Sequence, residues 1–153
     1  MEVFIINEWL WSDINGDNED KGPRQVEASI FLGAFSKSDH QFIMVLGSKF
    51  EQKAMAACRS RNPGVQRLAV LFFSFRYDLS HCRLLRMNEL AKLPHDLAAS
   101  VKDDDHYLVR ALLTVKDSIL VTTDGPLLKA LEGLASHCIS REEFLRDYFG
   151  ISS

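Results

Sequence analysis

Carboxylates recur along this chain at the places where an α/β protein builds sites. Lys102 to Leu128 reads K-D-D-D-H-Y-L-V-R-A-L-L-T-V-K-D-S-I-L-V-T-T-D-G-P-L-L. Asp103, Asp104 and Asp105 open a segment with helical apolar spacing at Leu108, Ala111, Leu112 and Val115. Ile119-Leu120-Val121 then reads as a buried strand, and Asp124 stands just past its C-terminal end. In open α/β sheets the C-terminal ends of the strands are where ligands bind. Acids gathered there repel one another unless a cation lies between them, so the pattern points to a hard divalent metal.

The elements that must position these acids alternate in type. Glu2 to Ile6 reads as a first buried strand running directly into Asn7 through Asp13. Ile14 to Pro23 is polar and turn-rich and reads as an exposed, mobile loop. Gln25 to Phe35 carries Val26, Ile30 and Phe31 on a helical face, and Gln41 to Leu46 is a second apolar run of strand length. Lys49 to Arg59 reads as a helix. Val65 to Phe75 has helical spacing, although Ala69 to Phe73 also passes as a strand. His81 to Leu85 is a short strand, Asn88 to Val101 a region of short helices interrupted by Pro94, and Pro126 to Leu134 a helix stopped near Gly133. A short strand, Ser136 to Ile139, precedes a last helix that Ser140 and Glu143 begin as a capping box. Strands alternating with helices imply one domain over residues 1–153, a three-layer α/β/α sandwich on a mostly parallel sheet of about five strands.

Composition narrows the classes. Apolar residues make up 46% and charged residues 25%, the balance of a globular protein. No apolar run approaches the ~20 residues that span a bilayer, and Met1-Glu2-Val3 lacks the basic start of a signal peptide, so the cytoplasm is the expected location. Cys58, Cys82 and Cys138 are odd in number and far apart, which suits reduced core thiols rather than a disulfide framework or a zinc site. A net charge of −3 argues against nucleic-acid binding through overall charge. Locally, though, Lys49, Lys53, Arg59, Arg61 and Arg67 face only one acid, Glu51, between positions 49 and 67. A basic face beside an acidic pocket suits an enzyme that holds phosphates while a metal does the chemistry, and solvated helix faces would give the same charge pattern.

The chain resembles the PIN domain, the nuclease fold of VapC-type toxins and many RNA-processing proteins. D-D-H-Y-L-V-R-A from Asp104, I-L-V-T-T-D-G-P-L-L from Ile119 and H-C-I-S-R-E-E-F-L from His137 carry the resemblance, which is strongest over the last third. It implies a ribonuclease that uses Mg²⁺ or Mn²⁺ held by separated acids. Motif by motif, Asp104 matches the acid at the start of the penultimate long helix, Asp124 the acid after the strand, and Glu51 the middle glutamate. Thr122 matches the supporting hydroxyl. Lys49, Lys53, Arg59 and Arg61 are candidate phosphate contacts. RNA is the implied substrate, and a cognate antitoxin and a second copy of the chain are the implied protein partners. Trp9, Trp11 and Phe35 are candidates for an apolar dimer interface. The departure is at the first strand, where the family ends in aspartate and this chain has Asn7. An amide oxygen can coordinate a hard cation but brings no charge, so a PIN scaffold that binds RNA or protein without cutting is the alternative.

Each candidate also has a structural explanation. Asp104 and Asp124 suit helix caps, and Asp105 suits exposed charge in a first helical turn. Ser48-Lys-Phe-Glu51 is a capping box. Asn7 would serve as a polar close to its strand, His106 as a surface side chain, and Trp9 and Trp11 as core residues rather than base-stacking platforms. Glu8 follows Asn7 but would point away along an extended chain, and Asp13 reaches the site only if the first helix curls back.

Overall fold

The computed structural model describes residues 1–16 and 21–152. Five strands form one all-parallel sheet: β1 (Val3–Ile6), β2 (Gln41–Leu46), β3 (Cys82–Arg86), β4 (Ser118–Thr122) and β5 (Cys138–Ser140). Their spatial order is β3-β2-β1-β4-β5. The chain therefore moves to one side through β2 and β3, then crosses back to place β4 on the other flank of β1. That reversal makes the C-terminal ends of β1 and β4 the switch point of the sheet, the place where α/β sheets bind ligands. Ile6 pairs with Val121, which sets Asn7 opposite Thr122.

Helices cover both faces of the sheet, as α/β strands buried on two sides require. After α1 (Trp9–Asn15) come α2 (Lys21–Lys37), α3 (Lys49–Cys58), α4 (Pro63–Ser74), α5 (His95–Ser100), α6 (His106–Thr114), α7 (Gly125–Ala130) and α8 (Arg141–Phe149). One layer is aromatic. Phe4 meets Phe144 of α8 at 4.8 Å between ring centroids, and Phe42 meets Phe72 of α4 at 4.6 Å. Phe31 and Phe35 of α2 close the same cluster. On the sheet, α6 packs against β1, β2 and β4, burying Leu108, Val109 and Leu112.

Several local outcomes differ from the sequence reading. Ile14 and Asn15 belong to α1 and Lys21–Pro23 to α2, so the expected Ile14–Pro23 loop is shorter, and residues 17–20 lie outside the described set. The inward face of α2 is Ala28, Phe31, Leu32 and Phe35, whereas Val26 and Ile30 are exposed. The larger rings win the buried stripe. The helix–strand ambiguity over positions 65–75 resolves to helix because Asn62 caps the N–H groups of Gly64 and Val65 while Pro63 opens the first turn. Trp9, Trp11 and Phe35 are all interior, which removes them as a dimer surface. Among the described residues, no helix is long and apolar enough to cross a membrane.

Candidate active site

β1 ends at Ile6, and the chain turns helical at once: Glu8 already has φ −67° and ψ −6°. Between strand and helix, Asn7 acts as a fastener. Its backbone N–H donates to the Val121 carbonyl at 3.1 Å. Its side-chain Nδ2 donates to Thr122 Oγ1 at 3.0 Å, and its Oδ1 accepts the Glu8 N–H at 2.7 Å. Thr122 is fully buried and also accepts the Asp124 N–H at 3.1 Å. The Trp9 indole N–H donates to the same Val121 carbonyl at 3.1 Å. Thr122 thus ties the end of β1 to the segment that follows β4. The amide of Asn7 is engaged in that framework on both of its polar atoms.

Asp124 caps α7, accepting the Leu127 N–H on Oδ1 at 3.2 Å. Asp124 also lies within electrostatic reach of Asp105, just ahead of α6. Of the three aspartates there, the inward one is Asp105, which is 8% exposed. Asp104 stands in solvent with its side chain 76% exposed, 3.3 Å from Lys49 Nζ. Asp103–Asp105 form a 3₁₀ turn ahead of α6, so the helix periodicity does not extend back through them. Burial, then repulsion from Asp124, pushes the Asp105 carboxyl above its ordinary range. Burial likewise pushes Glu8 upward, with Asp105 and Asp104 adding to the rise and Lys53 and Lys49 opposing it.

Glu51 turns the other way. Its Oε1 accepts the Gly47 N–H at 3.0 Å, Ser48 Oγ accepts the Glu51 N–H at 3.2 Å, and Oε2 lies 3.4 Å from Arg76 Nη1. This is a cap with its reciprocal bond moved one residue back, to Gly47 rather than Ser48, and Gly47 is in the left-handed region at φ 78°. Lys49 and Lys53 lie near Glu8, but Arg59 and Arg61 sit past the far end of α3, ~15 Å along its axis. His106 bonds the Val101 carbonyl through Nε2 at 2.8 Å. Asp13 is also taken: Arg141, 1% exposed, donates from Nε to Asp13 at 2.7 Å and from Nη2 to Glu27 at 2.5 Å. The three cysteines are unpaired.

Asp105 and Glu8 were the residues hardest to place from sequence. Asp105 stands in the 3₁₀ turn, outside the helical period of α6, so spacing carries no signal that separates it from Asp103 and Asp104. Glu8 had none, because the alternation of a strand fails where the backbone turns helical.

Among the described residues, no three His, Cys, Asp or Glu side chains already converge as a ready-made metal cage. A Mg²⁺-type ion keeps several waters and takes only one or two carboxylates directly, leaving places for substrate phosphates. Asp105 and Asp124, close enough for repulsion to raise Asp105, fit that demand. No protein family, curated protein or solved structure matches the chain.

Proposed function

We propose that this chain is a divalent-metal-dependent phosphodiesterase acting on RNA, with Asp105 and Asp124 holding Mg²⁺ or Mn²⁺. The observation that supports the reading is the placement of those two acids at the β1–β4 switch point, close enough that repulsion from Asp124 adds to burial in raising Asp105. RNA as substrate comes from the PIN resemblance. When bound, the ion acts as a Lewis acid, easing deprotonation of water and offsetting charge on the phosphate oxygens. Thr122 and Asn7 keep the two strand ends in register, so Asp124 is presented from a fixed backbone. Lys49 and Lys53, four apart on α3 and both exposed, offer cations to phosphates beside the scissile bond. Asp104 holds Lys49 until a phosphate replaces it.

Calorimetric titration with Mn²⁺ of wild type and of Asp105→Asn/Asp124→Asn tests the assignment without knowledge of the RNA. Binding in wild type and its loss in the double variant are expected, together with Mn²⁺-dependent cleavage of single-stranded RNA that EDTA stops. A wild type that binds no Mn²⁺ would overturn the nuclease reading. It would favour the second reading, a non-cutting RNA- or protein-binding module, which the uncharged Asn7 supports. A toxin role with an antitoxin partner predicts growth arrest on expression.

A further inference from the structure

The outer face of α4 is apolar where a surface helix is ordinarily polar. Leu68-Ala69-Val70-Leu71-Phe72-Phe73 is an unbroken apolar run longer than one helical turn, so apolar side chains cover every side of the helix. Val65, Ala69 and Phe72 take the core side, and Leu68 and Phe73 lie partly buried along its edges. Val70 and Leu71 are left outward, 50% and 40% exposed. Arg67 and Ser74 share that face, one turn before and one turn after. A helix that is hydrophobic all round belongs in an interior, so this face wants a cover.

The surrounding charge indicates which cover. From Gln52 to Tyr77 the chain has Lys53, Arg59, Arg61, Arg67 and Arg76 and no acid, in a protein whose net charge is −3. Arg76 is held by Glu51. Arg59, Arg61 and Arg67 are exposed, and among the described residues none of them forms an ion pair. Arg59 and Arg61 stand in the turn that leads into α4, and Arg67 in its second turn. Positive charge therefore gathers at the end of the helix that its dipole also makes positive. A second copy of the chain would bring the same cations with it, and like charges across an interface cost affinity. Nucleic acid would be served by rings that stack on bases. A bilayer would be served by an apolar side free to insert, whereas most of the apolar side of α4 is already in the core. Val70 and Leu71 are branched aliphatics, which suit the seam between two packed helices.

We propose that the outer face of α4 docks an acidic amphipathic helix of another protein. Val70 and Leu71 seat between its apolar side chains, and Arg59, Arg61 and Arg67 pair with its carboxylates. The assignment does not depend on the nuclease reading, because it uses neither Asp105 and Asp124 nor a metal.

The test uses the full chain and a synthetic helix-forming peptide with leucines along one face and glutamates on its flanks, read by fluorescence anisotropy. A lysine-flanked counterpart, oligouridylate and phosphatidylserine vesicles are measured beside it. The acidic peptide is expected to bind, and Val70→Ser/Leu71→Ser to weaken it ~10-fold or more with melting as in wild type, since both side chains already meet water. Arg59→Glu/Arg67→Glu is expected to remove the preference for the acidic peptide over the lysine one, and added salt to do the same to wild type. Failure of the acidic peptide to bind, or binding that ignores Val70→Ser/Leu71→Ser, would overturn the assignment. So would oligouridylate or vesicles bound more tightly than the peptide, or a dimer in sedimentation that Val70→Ser/Leu71→Ser dissolves. A Val70→Ser/Leu71→Ser chain that melts well below wild type would show the pair serving the fold, also against it.

Discussion

Glu51 shows how a residue of the right type at the right spacing can be drawn into the local chemistry of a helix start, although its buried Oε2 completes no hydrogen bond. Its carboxylate holds the Gly47 N–H and the Arg76 guanidinium, and its own N–H is held by Ser48. We therefore expect Glu51→Ala to destabilise the protein by about 1–2 kcal/mol in urea unfolding and to leave Mn²⁺ affinity as in wild type. A loss of Mn²⁺ binding without loss of stability would return Glu51 to the site. Asp104 and Asp105 make the converse point. The motif resemblance points to Asp104, but the buried face of α6 is Tyr107, Leu108, Val109, Ala111 and Leu112, while Val115 caps the helix end. The 3₁₀ turn before that face selects Asp105. Adjacent identical acids cannot be told apart by type, only by the rotation of the turn that carries them.

At the scale of elements, strands and caps were legible because they depend on local chemistry. The apolar runs at positions 41–46 and 119–121 are strands, and Ser48 and Ser140 each cap the helix that follows. What local chemistry does not reveal is how α1, α2 and α8 are joined. Arg141 leaves the start of α8 to reach Asp13 in α1 and Glu27 in α2, with its guanidinium 5.5 Å from the Trp9 ring centroid. Burial pushes Asp13 above its ordinary value despite the arginine, which makes the pair dependent on both partners. Removing one partner of a buried ion pair leaves the other charge uncompensated. Arg141→Ala should accordingly cost about 3–5 kcal/mol, a large part of the ~5–15 kcal/mol stability of a domain. Chemical denaturation measures it directly. An Arg141→Ala midpoint close to wild type would show that water reaches Asp13 and Glu27 and that the three helices do not rely on the guanidinium.

For the whole molecule, the order β3-β2-β1-β4-β5 is what assembles the site. It sets residues 115 positions apart in hydrogen-bond contact, Asn7 with Thr122, and brings Asp105 within electrostatic reach of Asp124. If a cation sits there, ion binding and folding are linked. At a free Mn²⁺ concentration roughly 100 times Kd, the folded state should gain about 2.7 kcal/mol. The melting temperature of wild type should therefore rise with Mn²⁺, whereas Asp105→Asn/Asp124→Asn should not respond. An equal rise in both would place the ion elsewhere on the surface. The sequence by itself determined the α/β class, the approximate positions of the five strands and the presence of acids near strand ends. These follow from hydropathy period and cap chemistry, which act over a few residues. Only the tertiary structure decided that Asp105 rather than Asp104 faces inward, that Glu51 and Asp13 are held by arginines, and that Glu8 stands near Lys49 and Lys53. Those outcomes depend on which distant side chain fills the space opposite, and short-range patterns in a single chain carry no record of that.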